Sequence, residues 1–169
     1  MQSDEAIPRT EKRSVVFHLL APADGRLMPL PQHPEAIHRL QLAGPGFWLQ
    51  LQSDTLCTPC DGIVSIQYTP SFCIRLKHPT GLQTVLELPA ALLSQHGKGL
   101  FWCCHDGASI KAGEPLLRFD PAFLTQTPPL TLTLLLLPAK AIHAAPVVQA
   151  KMVSTRQPCF TFQLHGISL

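Results

Sequence analysis

Charged residues are scarce in this sequence, and neither sign dominates. Only 14% of the 169 residues are Asp, Glu, Lys or Arg, and the formal net charge is +2. Binding to nucleic acid requires basic residues clustered on one surface. The 13 Lys and Arg residues are scattered along the chain, so we expect no nucleic-acid partner.

Long apolar runs and an export signal are also missing. The most apolar run, residues 130–139, is far shorter than the roughly 20 residues of a membrane-spanning helix. Residues 1–13 are polar and mixed in charge, without the apolar stretch of a signal peptide. We therefore predict a cytoplasmic protein with a flexible N-terminal arm over residues 1–13.

Proline and glycine, in contrast, are abundant. The 17 prolines and 10 glycines are spread over the whole length, which favours short segments joined by turns over long helices. The length fits one domain. We predict a single all-β domain over residues 14–169, a compact antiparallel β-sandwich or barrel. Short helical turns are expected near residues 34–39, 89–93, 121–125 and 140–144.

One turn motif occurs twice. Residues 58–64, TPCDGIV, repeat the proline, aspartate and glycine of residues 21–27, APADGRL. Asp-Gly is typical of tight turns. A strand that enters such a turn twice predicts two similar hairpins packed against each other.

A further hairpin is predicted where two runs of β-type residues, 69–76 and 82–89, flank the turn sequence HPTG at 78–81. Side chains alternate along a strand, and the turn folds one strand back on the other. On this basis we expect Phe72 and Glu87 to lie side by side on one face of the hairpin.

The six cysteines are expected to be free thiols, because the chain carries no export signal. Small, buried, apolar side chains are their simplest role. A zinc site made by Cys57, Cys60, Cys103 and Cys104 is an open alternative. Adjacent strand residues point to opposite faces, which disfavours Cys103 and Cys104 as joint ligands. We expect no metal and no cofactor.

Several motifs together carry a family resemblance. They are APADG at 21–25, TPCDGIV at 58–64, GKGLF at 97–101, IKAGEPLLRFD at 110–120 and FL at 123–124. In this order and spacing, over about residues 15–164, the sequence resembles the glucose-type enzyme IIA domains of the phosphoenolpyruvate-dependent sugar phosphotransferase system. The resemblance implies the same compact antiparallel β fold.

The resemblance also implies a phosphotransfer site, which this sequence does not reproduce. The family uses two facing histidines, a threonine and an aspartate, and acts as a phosphohistidine–sugar phosphotransferase. The two histidine positions hold Phe72 and Glu87, and the threonine and aspartate positions hold Pro70 and Ala91. Phenylalanine has no hydrogen-bond donor, and a carboxylate repels phosphate. We therefore expect no catalytic residue at these positions.

Glucose-type enzyme IIA domains also regulate other proteins, which they bind through a shallow apolar face around the active site. In this chain the resemblance places the following residues on that face: Ile37, Phe47, Phe72, Ile74, Leu86 and Leu88. The leading hypothesis is a regulatory module that binds a transporter or a cytoplasmic enzyme, with at most peripheral membrane association. Phosphorylation at a non-standard residue is one alternative. Another is that the Phe72 ring collapses onto the barrel and fills the depression.

Three histidines are expected to be exposed, and His105 could be a ligand only in the zinc alternative. His78 and His96 fall in turn or loop sequences, and His38 takes a position on the partner-binding face. No two histidines stand at a spacing that predicts a replacement for the missing pair.

Overall fold

The computed structural model describes residues 14–166, which form fourteen short strands. The predicted arm, residues 1–13, lies outside the described residues. The strands are β1 (Ser14–Leu20), β2 (Gly25–Pro29), β3 (Gly46–Leu51), β4 (Thr55–Cys57), β5 (Gly62–Gln67), β6 (Cys73–Lys77), β7 (Gln83–Glu87), β8 (Leu100–Trp102), β9 (Ser109–Ile110), β10 (Pro115–Phe119), β11 (Thr131–Leu137), β12 (Ile142–His143), β13 (Lys151–Val153) and β14 (Pro158–His165).

In the part of the chain that the structure describes, helical structure is confined to single turns. The α-helix α1 (Ala36–Arg39) and three 3-10 turns, Ala90–Leu93, Pro121–Thr125 and Ala139–Ala141, fall where the sequence predicts helical turns. A further 3-10 turn, Leu30–Gln32, was not predicted. Within residues 14–166, no helix has the length and apolar character needed to cross a membrane.

Three antiparallel sheets enclose one main core. The largest has eight strands in the order β13-β2-β3-β11-β7-β6-β5-β9, and two smaller sheets have the orders β1-β14-β12 and β4-β10-β8. Buried side chains from all three sheets meet in the same cluster, among them Leu19, Leu56 and Leu134. The all-β antiparallel prediction is confirmed.

The eight-stranded sheet is covered on both faces near its centre. On β11, Leu132, Leu134 and Leu136 join the main core, whereas Leu135 packs in a second, smaller cluster that includes Trp48. A strand that is buried on both faces reads as a continuous apolar run. This double burial explains why residues 130–139 are the most apolar part of the sequence.

The two repeated turns contact each other symmetrically. The Leu20 amide donates to the Pro59 carbonyl, and the Cys57 amide donates to the Pro22 carbonyl. The two donors, Leu20 and Cys57, hold the same position in the two repeats. The two acceptors, Pro22 and Pro59, likewise correspond to each other. The two repeats therefore pack against each other as predicted, but the prediction that each is a hairpin is wrong. The strands before the turns, β1 and β4, belong to the two small sheets, whereas the strands after them, β2 and β5, belong to the eight-stranded sheet.

The predicted hairpin of β6 and β7 is present, but its register differs from our expectation. Cys73 pairs with Glu87, and the Leu88 amide donates to the Phe72 carbonyl. Phe72 and Leu88 consequently belong to the main core, whereas Cys73 and Val85 pack on the opposite face of the sheet. Because side chains alternate, Glu87 projects with Cys73. The prediction that Phe72 and Glu87 share a face is wrong by one residue of register.

Candidate functional site

A cleft of about 520 Å³ opens where β7 ends and β11 begins. Its walls come from residues 33–35, 68–72, 87–93 and 126–133. The four positions at which the resemblance places phosphotransfer groups all line it: Pro70, Phe72, Glu87 and Ala91. The cleft is therefore the candidate functional site.

Phe72 fills the inner end of the cleft. Its side chain is only 4% exposed. The ring stacks on Tyr68 with centroids 5.4 Å apart and planes 9° apart, and it meets Trp102 edge-on at 6.1 Å. Phe72 has therefore collapsed onto the core, and Tyr68, which is 50% exposed, presents the accessible ring.

Glu87 is the last residue of β7 and is held by a histidine. Its Oε2 atom lies 2.6 Å from the Nε2 atom of His38, and the Glu87 side chain is 30% exposed. A separation this short is typical of a charge-assisted hydrogen bond. The His38 Nε2–H donates, and the Glu87 carboxylate accepts.

His38 lies in α1 and is buried, with 2% of its surface exposed. The expectation that it is solvated is wrong, because α1 turns this side chain towards the sheet and onto Glu87. Its other ring nitrogen, Nδ1, is buried and has no hydrogen-bond partner. The His38 ring thus makes one side-chain hydrogen bond, to the Glu87 carboxylate, and its second nitrogen is unsatisfied.

His33 packs beside His38, with ring centroids 4.6 Å apart. Its Nδ1 accepts from the Glu35 amide at 2.9 Å, and its Nε2 lies 2.8 Å from the Thr133 hydroxyl oxygen. Since Nδ1 accepts, Nε2 carries the proton and donates to Thr133. Burial, followed by the charge of His38, lowers the pKa of His33 below its usual value. His33 is therefore held as a neutral ring.

The structure thus contains a histidine pair that the sequence did not predict. The two rings are five residues apart in a proline-rich segment with no periodic pattern. Thr133, which binds His33, comes from β11, 100 residues away. A clue could have been that the predicted helical turn at 34–39 carries His38 and directly follows His33.

Comparison with known proteins identifies the family. Residues 17–141 match the model of the family described as phosphoenolpyruvate-dependent sugar phosphotransferase system, EIIA 1. The chain belongs to this family. The match contains the second half of β1, all of β2 to β11 and every residue of the cleft.

The relatives of this EIIA chain include separate EIIA proteins and larger transport proteins. The glucose-specific EIIA component of Borreliella burgdorferi is 24% identical over 68% of this chain and 61% of that protein. The glucose-specific EIIBCA component of Corynebacterium glutamicum is 24% identical over 64% of this chain. Lactose permease of Lactobacillus helveticus is 28% identical over 60% of it. The chain matches only 16% of the length of each of these last two proteins.

A solved structure confirms the fold. Glucose permease IIA from Mycoplasma capricolum superposes with a TM-score of 0.74 at 17% identity, and the match covers 87% of this EIIA chain and 96% of that one. At this identity the likeness extends to the fold alone. The strand arrangement described above is therefore that of an EIIA domain.

Five of the six residues predicted for the apolar face of this EIIA chain are buried. Phe47, Phe72, Ile74, Leu86 and Leu88 are between 0% and 6% exposed. They point inwards from β3 and from the β6–β7 hairpin and pack in the main core. As a description of an exposed face, the prediction is wrong for these five residues.

Three exposed apolar side chains lie instead on and just after α1. Ile37, the sixth predicted residue, is 51% exposed, and Leu40 and Leu42 are 64% and 75% exposed. We call these three residues the α1 apolar patch. Leu40 and Leu42 were missed because the segment has no regular amphipathic period.

The cysteines of this EIIA chain do not assemble a metal site. Cys57 and Cys60 are buried, whereas Cys103 is exposed. Burial raises the pKa of Cys60 to about 11, so its thiol stays protonated at neutral pH. Across residues 14–166, no three or more His, Cys, Asp or Glu side chains are grouped as metal ligands. The geometry of the described residues thus gives no support to the zinc alternative.

Proposed function

We propose that this EIIA chain is a protein-binding module that attaches to a sugar transporter and does not carry a phosphoryl group. The observation that supports it best is the hydrogen bond between His38 and Glu87. The residue at the phosphoacceptor position is a carboxylate, and a carboxylate repels an incoming phosphate. The nearest polar side chain, His38, already donates its Nε2–H to that carboxylate.

The histidine pair does not offer a substitute nucleophile in this arrangement. A histidine accepts a phosphoryl group only through an accessible nitrogen lone pair. The His33 lone pair accepts from the Glu35 amide, and its other nitrogen is protonated. On His38, Nε2 donates to Glu87, and Nδ1 is buried. The imidazole rings of His33 and His38 therefore stabilise the wall of the cleft and do not accept a phosphoryl group.

The names of the relatives support a transporter as the partner. In the Corynebacterium glutamicum protein, a matching segment forms part of an EIIBCA component, and in Lactobacillus helveticus it forms part of a lactose permease. Such segments are covalently attached to transport proteins. The α1 apolar patch gives this chain a surface suited to a comparable, non-covalent association.

The absence of phosphoryl transfer is tested with ³²P-labelled phosphoenolpyruvate, enzyme I and the phosphocarrier protein. An authentic glucose-specific EIIA component serves as the positive control in the same reaction. We expect no acid-labile label on this chain under conditions that fully label the control. Stoichiometric label would refute this part of the proposal.

Attachment to a transporter is tested by flotation with vesicles that contain sugar transporters of the same cell. We expect Ile37→Asp and Leu42→Asp to reduce co-flotation. The matched control is Met152→Asp on β13, where Met152 is 57% exposed and distant in sequence from α1. Co-flotation that is equally reduced by all three substitutions, or by none, would contradict the assigned surface.

A second candidate function is phosphoryl transfer through the histidine pair. The observation that favours it is the unpartnered Nδ1 of His38, beside a second imidazole and with a carboxylate on its other nitrogen. Transfer would require α1 to move and expose Nδ1. Label that appears on the native chain and is lost in His38→Gln would support this function over the first.

A further inference from the structure

We propose that the cleft receives an arginine or lysine side chain of the partner protein, so that a cation lies against Glu87 where the family places a phosphoryl group. This inference rests on the proposed protein-binding function. It names the chemistry that the partner must present. The charge, the aromatic wall and the apolar lining of the cleft each support it.

The charge in the cleft is negative. Glu35 and Glu87 line it, and none of its lining residues is Lys or Arg. Arg39 does not line the cleft, but its guanidinium donates to the carbonyls of His33 and Pro34 and places one positive charge beside the two carboxylates. The balance remains negative. Complementarity of charge therefore favours a cationic side chain and disfavours an anionic one.

Glu87 has one carboxylate oxygen available. The His38 bond engages Oε2, and within residues 14–166 no side-chain or backbone donor binds Oε1. His38 also fixes the direction of the carboxylate, so that little rotamer freedom is lost when a cation binds. A guanidinium or ammonium group can donate to such a fixed oxygen with a charge-assisted hydrogen bond.

Tyr68 supplies an aromatic wall. One face of its ring lies against Phe72 in a nearly parallel stack, and half of the residue is exposed. A cation over the face of an exposed tyrosine ring is attracted by the ring quadrupole. Tyr68 and Glu87 both line the cleft, although Tyr68 stacks on Phe72, which lies on the opposite face of the sheet from Glu87. The Glu87 carboxylate is therefore the contact for the charged group, and the tyrosine ring adds an aromatic wall to the cleft.

The remaining walls suit the aliphatic stem of such a side chain. Five prolines line the cleft: Pro34, Pro70, Pro89, Pro128 and Pro129. Proline has no amide donor, and its ring is apolar and rigid. The methylene groups of arginine or lysine pack on apolar surface while the charged end reaches a polar group.

The position of the cleft indicates a protein as the source of the cation. Glu35, which lines the cleft, is two residues from Ile37 of the α1 apolar patch. A partner that covers this patch can therefore insert a basic side chain into the cleft from the same contact. Apolar contact around one desolvated charged anchor is the usual anatomy of a protein interface.

The experiment uses three peptide probes on the full chain: acetyl-Pro-Arg-Pro-amide, its citrulline analogue and its glutamate analogue. Citrulline has nearly the shape of arginine without its charge. Binding is followed by backbone amide NMR shifts of the residues that line the cleft. We expect saturable shifts with the arginine peptide, and an affinity at least about tenfold lower for the other two.

The variant Glu87→Gln is compared with Glu114→Gln, which removes an exposed carboxylate elsewhere. We expect Glu87→Gln to weaken the arginine peptide about tenfold and Glu114→Gln to leave it unchanged. Equal binding of the arginine and citrulline peptides would overturn the inference. Preferential binding of the glutamate peptide or of inorganic phosphate would also overturn it, as would failure of all three peptides to bind. Unchanged affinity of the arginine peptide for Glu87→Gln would overturn it as well.

These outcomes are separable from failure of the proposed function. If the transporter still binds the native chain through the α1 apolar patch while the arginine peptide does not bind, only the cation inference fails. If the chain is phosphorylated stoichiometrically, the proposed function fails whatever the peptides do.

Discussion

The Nε2 atom of His38 lies 2.6 Å from the Oε2 atom of Glu87 and joins α1 to the end of β7 across 49 residues of sequence. The bond places a short helix, which has only one turn of its own hydrogen bonds, against the eight-stranded sheet. It also engages the Oε2 atom of Glu87 and leaves Oε1 without a hydrogen-bond donor among residues 14–166. Stability and ligand chemistry at this site are thereby coupled.

The first prediction concerns loss of this bond. Glu87→Ala leaves both ring nitrogens of His38 without a hydrogen-bond partner, and a buried unpaired polar group is costly. We expect the free energy of unfolding to fall by about 2 kcal/mol, a value that allows for the partial exposure of Glu87. Urea unfolding measures it, with Glu114→Ala as the exposed control.

A double-mutant cycle tests whether that loss arises from the pair. In His38→Leu the buried imidazole is gone, so a further Glu87→Ala change should cost little. We expect a coupling energy of about 1 kcal/mol or more between the two positions. Additive effects would show that the bond does not stabilise the fold.

The second prediction concerns pH. Burial lowers the pKa of His33 in the folded chain below its unfolded value. The unfolded chain therefore binds more protons as pH falls through about 6.5, and stability should decrease below that pH. Burial lowers the pKa of His78 in the same direction. Unfolding at pH 7.5 and pH 5 should show a smaller difference for His33→Gln than for the native chain.

The control for this pH effect is His105→Gln, because His105 is exposed. Its pH dependence should match that of the native chain. NMR titration of the His33 ring should give a midpoint below 6.5, because burial lowers its pKa. A His33 midpoint above 6.5 would contradict the assigned tautomer and its bond from the Glu35 amide.

The third prediction concerns Phe72. Its ring is buried against Tyr68 and Trp102, so Phe72→Ala removes aromatic contacts and leaves a cavity. We expect a loss of about 3 kcal/mol in the free energy of unfolding. Phe101→Ala is the matched control, since Phe101 is 62% exposed and should change stability little. If Phe72→Ala and Phe101→Ala lowered the free energy of unfolding equally, the assignment of Phe72 to the core would be contradicted.

The fourth prediction concerns the first of the repeated turns. A Cβ atom at Gly25 would overlap the carbonyl oxygen of Gln50 on β3, whereas one at Gly81 meets no atom within 4 Å. Gly25→Ala therefore requires the β2–β3 pairing to shift, and we expect a loss of about 3 kcal/mol. Gly81→Ala has only the cost of its positive φ of 90°, about 1 kcal/mol. Thermal unfolding of Gly25→Ala and Gly81→Ala measures the two losses in stability.

Much of the fold was predictable because its signals are local. Asp24-Gly25 and Asp61-Gly62 mark turns through backbone preferences that need no tertiary context. The helical turns at Ala36–Arg39 and Ala90–Leu93 follow prolines within two residues, and proline favours the start of a helix. These features depend on neighbours in the sequence, so the sequence alone is sufficient to predict them.

The site was predictable only in part, because it depends on register and on distant contacts. The positions of Phe72 and Glu87 in the cleft followed from the resemblance. Their opposite orientation depends on a one-residue choice in how β6 pairs with β7, and such a shift exchanges the faces of a strand. Burial of His38 depends on Glu87, 49 residues away, a contact for which the local sequence has no signal.

The pairing of β1 with β14 has a consequence for how the chain is made. Ser14 lies opposite His165, and six further pairs follow along the two strands. During synthesis, β1 leaves the ribosome first and has no partner until β14 is complete. Contacts between such distant residues slow folding, and unpaired strands are sites of association between nascent chains. Residues 14–20 should therefore be a preferred binding site for chaperones during translation.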